Sequence, residues 1–551
     1  MTTMTESKND TGRESCREFS KKCSSIMNDA VSIAILILVT VFPLIFHNSY
    51  YDILETKYQC YRFCILLLLA AIPFLVLGMV YIDLKKFEGQ NTNDFLLRLH
   101  PRNWKKTFCA ADAAVLAFWL ATGISTLQSD YLHEAFWGDQ GRFSGFLLLT
   151  LYVASYIIIS HFWKFNGNFL ELFLAVSMLL CLFGITDYFR MDIMHFRKTS
   201  DAVIAMASYT STIGNINTYT AYVGIVIGLS SAMFALEKKP LKQLWYYLCL
   251  VISFTAILMG RSDNAYLSIA AVFVFLPFIL FTNREGIKKY LIITATFFTI
   301  IQFIAIINKL YPSIIIGTDS LFTIIAGFCQ TLRLAPLLWI LVIIFWIYDR
   351  KLGKNTSFSV GKNITLVHIW GVLILLLILA VCVVFFDANI RGNAERYGSF
   401  GQYLLFNDRW GTSRGYIWSK SLWMYKRLPL LHKLFGYGPD TYGCLVNKTI
   451  VFDVYNVFGN TNLDNAHNSF LQYLVTIGLT GLITYLTFLG TSFWHLMKNR
   501  KKNPYIPAIL LAVICYVFQS SINLDVPIVT PFMWLLLAMG MAACKEKTYA
   551  P

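Results

Sequence analysis

Ile364-Thr-Leu-Val-His-Ile-Trp-Gly-Val-Leu-Ile-Leu-Leu-Leu-Ile-Leu-Ala-Val-Cys-Val-Val-Phe-Phe386 is a run of 23 residues without a charged side chain. Wound as a helix at about 1.5 Å per residue it reaches about 34 Å, enough to cross a hydrocarbon core about 30 Å thick. It offers no polar face to water, so it reads as a membrane span. Thirteen further runs share its character, centred on 30–47, 63–83, 109–126, 145–162, 169–187, 215–236, 244–260, 264–282, 290–308, 334–348, 469–495, 505–522 and 527–543. In 309–333, where Arg333 separates two apolar stretches, there is room for a re-entrant segment. The expected fold is all-α: a polytopic integral membrane protein with about 14 transmembrane helices and one long extracytoplasmic loop.

Composition agrees with the runs. The 551 residues are 56% hydrophobic and only 14% charged, where a soluble domain carries about 25% charged residues. Such a chain has too few polar side chains to cover a water-facing surface, which excludes a soluble enzyme. The net charge of +15 would suggest nucleic acid in a soluble protein. Here it suits cytoplasmic loops held against anionic lipid, and no nucleic acid partner is expected. Cys60 and Cys64 are the one close pair among 12 cysteines, at a spacing that fits no common metal or redox motif. Cys444 stands alone in the long polar loop, so no disulfide framework is expected. The polar first 28 residues contain no apolar core of a cleavable signal peptide.

Lys and Arg set the orientation. Lys8, Arg13, Arg17, Lys21 and Lys22 precede the first run, and Lys85, Lys86, Arg98, Arg102, Lys105 and Lys106 follow the second. Later clusters on the same side are Lys238, Lys239 and Lys242; Arg284, Lys288 and Lys289; Arg350, Lys351, Lys354 and Lys362; and Lys498, Arg500, Lys501 and Lys502. Intervening loops such as 48–60 and 127–141 are acidic or nearly uncharged. Positive loops face the cytoplasm, so both termini are expected inside. The expected division is a cytoplasmic tail 1–28, a membrane domain 29–386 of about 11 helices, an extracytoplasmic functional loop 387–468, membrane helices 469–544 and a cytoplasmic tail 545–551. Long loops cross regardless of charge, and a loop of this length usually carries function.

Four patches fall on the outer face of that topology. In Trp137-Gly-Asp-Gln-Gly-Arg142-Phe-Ser-Gly145, Arg142 reads equally as an anion contact and as a snorkelling anchor. In Gly214-Asn215-Ile-Asn217 the asparagines read first as helix caps. In Gly260-Arg261-Ser-Asp-Asn264 an arginine sits in a hairpin too tight for a loop, again an anchor or an anion contact. The long loop contains Ser413-Arg414-Gly-Tyr-Ile-Trp418, with Arg414 and Trp418 on one helix face, then Phe435-Gly-Tyr-Gly-Pro439, a turn. It closes with Asp464-Asn-Ala-His467-Asn468, and a lone histidine is more often structural than catalytic. Gathered at one face, three arginines and a histidine suit a phosphorylated lipid: guanidinium forks pair with pyrophosphate oxygens, and neutral imidazole takes a hydroxyl proton.

The stretch Ser413-Arg414…Trp418…Gly436-Tyr-Gly438-Pro439…Ala466-His467-Asn468…Leu471…Gly478…Gly481 resembles the O-antigen ligase and polymerase superfamily over about 70 residues. Gly138…Arg142…Gly145, Gly214-Asn215…Asn217 and Gly260-Arg261 resemble it only in plan. The resemblance implies a metal-independent glycosyltransferase of the GT-C type without cofactor, in the bacterial cytoplasmic membrane, serving polysaccharide biosynthesis for the cell envelope. Its donor would be an undecaprenyl-diphosphate-linked glycan and its acceptor a glycan, a lipid or a protein. By the same resemblance His467 positions or deprotonates the acceptor hydroxyl, while Arg414, Arg261 and, as a third contact, Arg142 grip the donor pyrophosphate. Asn468, Trp418, Gly436 and Gly438 support them. The tight hairpin departs from the usual Ser-Arg-Gly, since Ser262 follows Arg261 here. The rival readings are a lipid-linked glycan flippase or transporter, which would show two related halves and midplane charge, and a non-catalytic polysaccharide-export protein.

Overall fold

The structure, a computed structural model, describes residues 2–138, 142–197, 208–352 and 365–545. Residues 139–141 of the Trp137–Gly145 patch, Lys354 and Lys362 of the cytoplasmic set, Ile364 and the tail from 546 onward lie outside the described residues. Each of the fourteen apolar runs coincides with helix. Among the described residues the strands amount to one two-residue hairpin, Tyr209–Thr210 against Gly214–Asn215. The protein is an all-α, multi-pass membrane protein.

Eight of the described helices are long and apolar enough to cross a membrane. Ser320–Thr331 and Leu334–Lys351, bent by 58° around Arg333, make a ninth if taken as one span. Phe146–Phe162, Ala265–Leu280, Tyr505–Ser520 and Thr530–Lys545 are apolar but short. At 16 or 17 residues they reach about 25 Å. The run 469–495, expected as one span, is two helices, Ser469–Thr476 and Gly478–Asn499. Gly478 has φ +77°, which a continuing right-handed helix does not allow. The first helix, Thr2–Leu44, runs through the polar first 28 residues into the first apolar run.

Ile216–Leu236 is the centre of the bundle, with nearly all of its apolar window buried. It packs against Pro240–Met259, Ala265–Leu280 and Tyr505–Ser520. Two glycines allow that approach: a Cβ on Gly224 would lie 2.4 Å from Ser268 Oγ, and one on Gly228 would lie 2.7 Å from Ala512 Cα. Small residues at contact points are how apolar helices pack where lipid is as apolar as leucine. Leu366–Asn389 is the opposite case. None of its apolar window is buried, and Trp370 ties it to the bundle by donating from Nε1 to Val274 O at 2.9 Å. That helix faces lipid on nearly every side.

Hydrogen bonds lace the two ends of the bundle. At one end Lys545 Nζ donates to Ser160 O (2.7 Å) and Lys502 Nζ to Cys544 O (2.9 Å), cations meeting carbonyls at or near helix C-termini. At the other end Thr212 Oγ1 donates to Pro43 O (2.9 Å), Ile316 N to Tyr188 O (3.0 Å) and Asn523 Nδ2 to Asn217 O (3.1 Å). This second end receives the segment 387–468. That segment is itself largely helical, with Trp410–Arg427, Leu430–Phe435, Tyr442–Thr449 and Val451–Phe458, closed over a small core that includes Tyr416, Met424, Tyr442, Leu445 and Val475.

Candidate functional site

The helix that starts after Asn468 stops at Thr476, and its stop leaves the carbonyls of Val475 and Thr476 without helical partners. The Gly436-Tyr-Gly438 turn supplies them: Tyr437 N donates to Val475 O (3.1 Å) and Gly438 N to Thr476 O (2.8 Å). The approach requires glycine. A Cβ on Gly436 (φ +78°) would lie 2.2 Å from Thr476 O, and one on Gly438 (φ +118°) 2.5 Å from Ser129 Oγ. Residues of the first half close the junction: Ser125 Oγ donates to Thr476 O, Gln128 Nε2 to Gly436 O and Ser129 Oγ to Tyr437 O, each at 2.8 Å. The turn is a fastening between three distant pieces of chain.

Arg414 and His467 are set beside one another from two such pieces. Gly411, Thr412 and Ser413 have φ of +57°, +62° and +67°, a left-handed run that costs of order 1–3 kcal/mol at each of the two residues bearing a Cβ. The right-handed helix starts from Arg414, and Trp418, one turn on, donates from Nε1 to Ala466 O (3.1 Å). The backbone before His467 is held by Asn465 Oδ1, which accepts from His467 N (2.7 Å), and by Gln472 Oε1, which accepts from Ala466 N (2.9 Å). Asn468 caps the next helix, its Oδ1 accepting from Leu471 N (3.0 Å). His467 has φ +49°, and its imidazole has no hydrogen-bond partner among the described residues.

Arg261, Arg414 and His467 line one cavity of about 900 Å³. Arg261 reaches it from the tight hairpin, with φ +57°, and Asn217 reaches it from the start of the central helix. Asn215 does cap that helix (Oδ1 accepting from Asn217 N, 2.9 Å), while Asn217 Oδ1 accepts from Ser262 Oγ (2.6 Å) and so braces the hairpin. Arg142 is not in the lining. Its Nη2 donates to Asp464 Oδ1 (3.1 Å) and its Nε lies 3.0 Å from Asp464 Oδ2, so a carboxylate already occupies its fork.

Burial, with the charges of Arg414 and Arg142 adding to it, pushes the His467 imidazole down to about 4. It is therefore neutral at physiological pH. Burial lowers the Arg414 pKa, with Asp263 opposing. Burial, reinforced by the charge of Arg197, also lowers that of Arg261, with Tyr188 and Asp319 opposing; arginine starts high enough that both stay charged. The cavity thus sets the guanidinium groups of Arg261 and Arg414, with Arg409 also in the lining, beside an uncharged base.

The sequence reading did not single out Asp319, Tyr403, Arg409 or Trp410, which share the lining. Asp319 gives a local signal only as a helix cap, its Oδ1 accepting from Phe322 N (2.7 Å). Burial, with the neighbouring Asp263 adding to it, raises its pKa to about 6. Among the described residues no group of three or more His, Cys, Asp or Glu converges as a metal site.

Residues 320–486 match the family described as O-Antigen ligase. The matched segment contains Arg414, Trp418, Gly436, Gly438, His467 and Asn468, and leaves Arg142 and Arg261 outside it. The resemblance to the O-antigen ligase and polymerase superfamily is thereby borne out for this segment. A comparison with curated proteins returns no match.

Proposed function

We propose that the chain transfers glycan from undecaprenyl diphosphate to an acceptor at the outer face of the bacterial cytoplasmic membrane, as a metal-independent GT-C-type ligase or polymerase. The observation that carries this reading is the meeting of Arg261, Arg414 and His467, from three separate parts of the chain, in one cavity. Arg261 and Arg414 bind the donor pyrophosphate as fixed forks. The acceptor hydroxyl attacks the anomeric carbon, the bond from that carbon to the phosphate oxygen breaks, and undecaprenyl diphosphate leaves with the electron pair. His467 takes the hydroxyl proton. The arginines oppose the charge that develops on the leaving group, which is where preorganised cations contribute most.

Donor binding also prepares the base. The imidazole is held low by burial and by the charge of Arg414 and Arg142, and a bound pyrophosphate offsets that charge. His467 becomes more basic when the donor is in place. Arg142, already paired with Asp464, positions the end of the long loop and does not grip the donor.

The orientation follows the Lys/Arg alternation, with both termini inside and 387–468 outside. On that orientation the bent pair 320–351 and the broken pair 469–499 each count as one span. The test of the function is transfer by the purified protein from a lipid-linked glycan donor in nanodiscs. Lipid translocation without transfer would sustain the flippase reading, and neither activity the export-protein reading. Impermeant thiol labelling of Asn456→Cys, exposed on the loop, in intact cells tests the orientation: protection there places the site inside.

A further inference from the structure

Beside the arginines the cavity wall changes character. Asp263 is two residues from Arg261, and its charge is felt at Arg414, so this wall lies next to the pyrophosphate position. Asp319 faces the same cavity. Asp319 Oδ1 accepts from Phe322 N (2.7 Å) and from Tyr266 OH (3.3 Å), which leaves acceptor capacity to spare on Asp319 Oδ2 and on Asp263. Asn264 is 2% exposed and lines the cavity, yet its Nδ2 has no hydrogen-bond partner among the described residues. A buried amide without a partner is costly and calls for an explanation, which at a cavity wall a ligand supplies. On the adjoining side Tyr403 and Trp410 are held by their own bonds: Tyr403 OH and Ser320 Oγ are hydrogen-bonded (2.6 Å), and Trp410 Nε1 donates to Tyr403 O (2.9 Å).

Carboxylates accept from hydroxyls, an amide N–H donates to a ring or acyl oxygen, and fixed aromatic rings suit the C–H face of a pyranose. We propose that Asp263, Asn264 and Asp319 form the subsite that reads the donor's first sugar, the ring joined directly to the pyrophosphate. This rests on the transferase reading above and adds to it the part of the site that recognises sugar. Phosphate is the wrong ligand for this wall, because two carboxylates repel it.

The experiment measures binding to nanodisc-reconstituted protein in EDTA, with two probes: undecaprenyl diphosphate carrying one N-acetylglucosamine, and undecaprenyl diphosphate alone. Asp319→Asn keeps the helix cap, since asparagine caps as well as aspartate, and Asn264→Leu removes an amide whose Nδ2 has no partner among the described residues. Each variant is expected to lose about 10- to 100-fold in affinity for the sugar-bearing lipid, the size of one hydrogen bond to a charged or buried partner. The affinity for the bare lipid stays the same. Asn264→Leu also melts no lower than the unmodified protein. Equal losses for both lipids, no loss for either, or an effect on acceptor KM alone each overturn the subsite. Unmodified protein that binds neither lipid overturns the transferase reading and the subsite with it.

Discussion

The Gly436–Pro439 turn and the Arg414–His467 wall lie in the same stretch of chain, yet the fold treats them in opposite ways. The backbone amides of Tyr437 and Gly438 and the carbonyls of Gly436 and Tyr437 all have protein partners. At the wall the amides of Ala466 and His467 and the carbonyl of Ala466 are bonded, while the imidazole has no such partner among the described residues, and Arg414 keeps one guanidinium bond, from Nη1 to Gly411 O (3.0 Å). One region uses up its polar groups to join three pieces of chain. The other holds its polar groups ready for something else. A motif contiguous in sequence is therefore half fastening and half reactive surface, and substitutions should sort accordingly.

The largest effect is expected at His467. His467→Ala should lower turnover by about 10²- to 10⁴-fold if the imidazole is the general base, with melting temperature unchanged. The pH profile gives the sharper version. The imidazole sits near 4 rather than 6.5, so neutral base persists as pH falls through 6. The acid limb of kcat/KM, which reports the free protein, belongs well below 6.5, and the limb of kcat, which reports the donor complex, belongs higher. Both limbs at 6.5 or above would mean that the buried environment does not act on this residue as described.

Next come the arginines. Arg414→Ala and Arg261→Ala each remove one partner of a desolvated ion pair, a loss of about 3–5 kcal/mol, between about 10²-fold and nearly 10⁴-fold in rate. Arg414→Lys should stay impaired, because an ammonium does not reproduce the planar fork. Gly436→Ala should reverse the pattern. Its added Cβ meets backbone at Thr476, so unfolding occurs at lower temperature, while the protein that remains folded transfers within about tenfold of normal. A Gly436 variant that folds well and is inactive would erase the distinction between the two regions.

The legibility of the sequence divides along the same line. Arg414, Trp418, Gly436, Gly438, His467 and Asn468 were readable together because they lie within about 55 residues in a fixed order. The break between Thr476 and Gly478 was not, since the apolar run is continuous and one left-handed glycine ends the helix. Asp319 was hidden for a different reason: it is 56 residues from Asp263, and locally it is an ordinary cap. Nothing near Arg142 in sequence announces its pairing, because Asp464 is 322 residues away. Apolar periodicity reveals helices, and only the fold reveals which polar groups are already spoken for.

A cation of the same loop outside the cavity lining should matter least. Lys448 Nζ bonds Asp130 Oδ2 (3.1 Å) at a half-exposed position, and such pairs contribute little. Lys448→Ala is expected to transfer within about twofold of the unmodified protein. A loss as large as that of Arg414→Ala would reduce the arginine effect to general basicity of the loop.

No change at all is expected from chelation, and the carboxylate wall makes this a demanding test. The chain has no Asp-x-Asp, the pair through which many sugar-nucleotide transferases hold a divalent ion at the donor diphosphate. Folding nevertheless brings Asp263 and Asp319 to the cavity that Arg261 and Arg414 share. Asp319, raised to about 6 by burial and by Asp263, is a carboxylate whose ionised form would welcome a cation or a proton. Two explanations compete for the same pair: it reads sugar hydroxyls, or it shares a metal with the pyrophosphate. Two carboxylates supply few ligands for a divalent ion, and the guanidinium groups already provide the positive charge the leaving group needs. Transfer by purified protein should therefore survive excess EDTA. Loss on chelation with recovery on Mg²⁺ or Mn²⁺ would move Asp263 and Asp319 from sugar recognition to metal binding, and would leave Arg261 and Arg414 an auxiliary role.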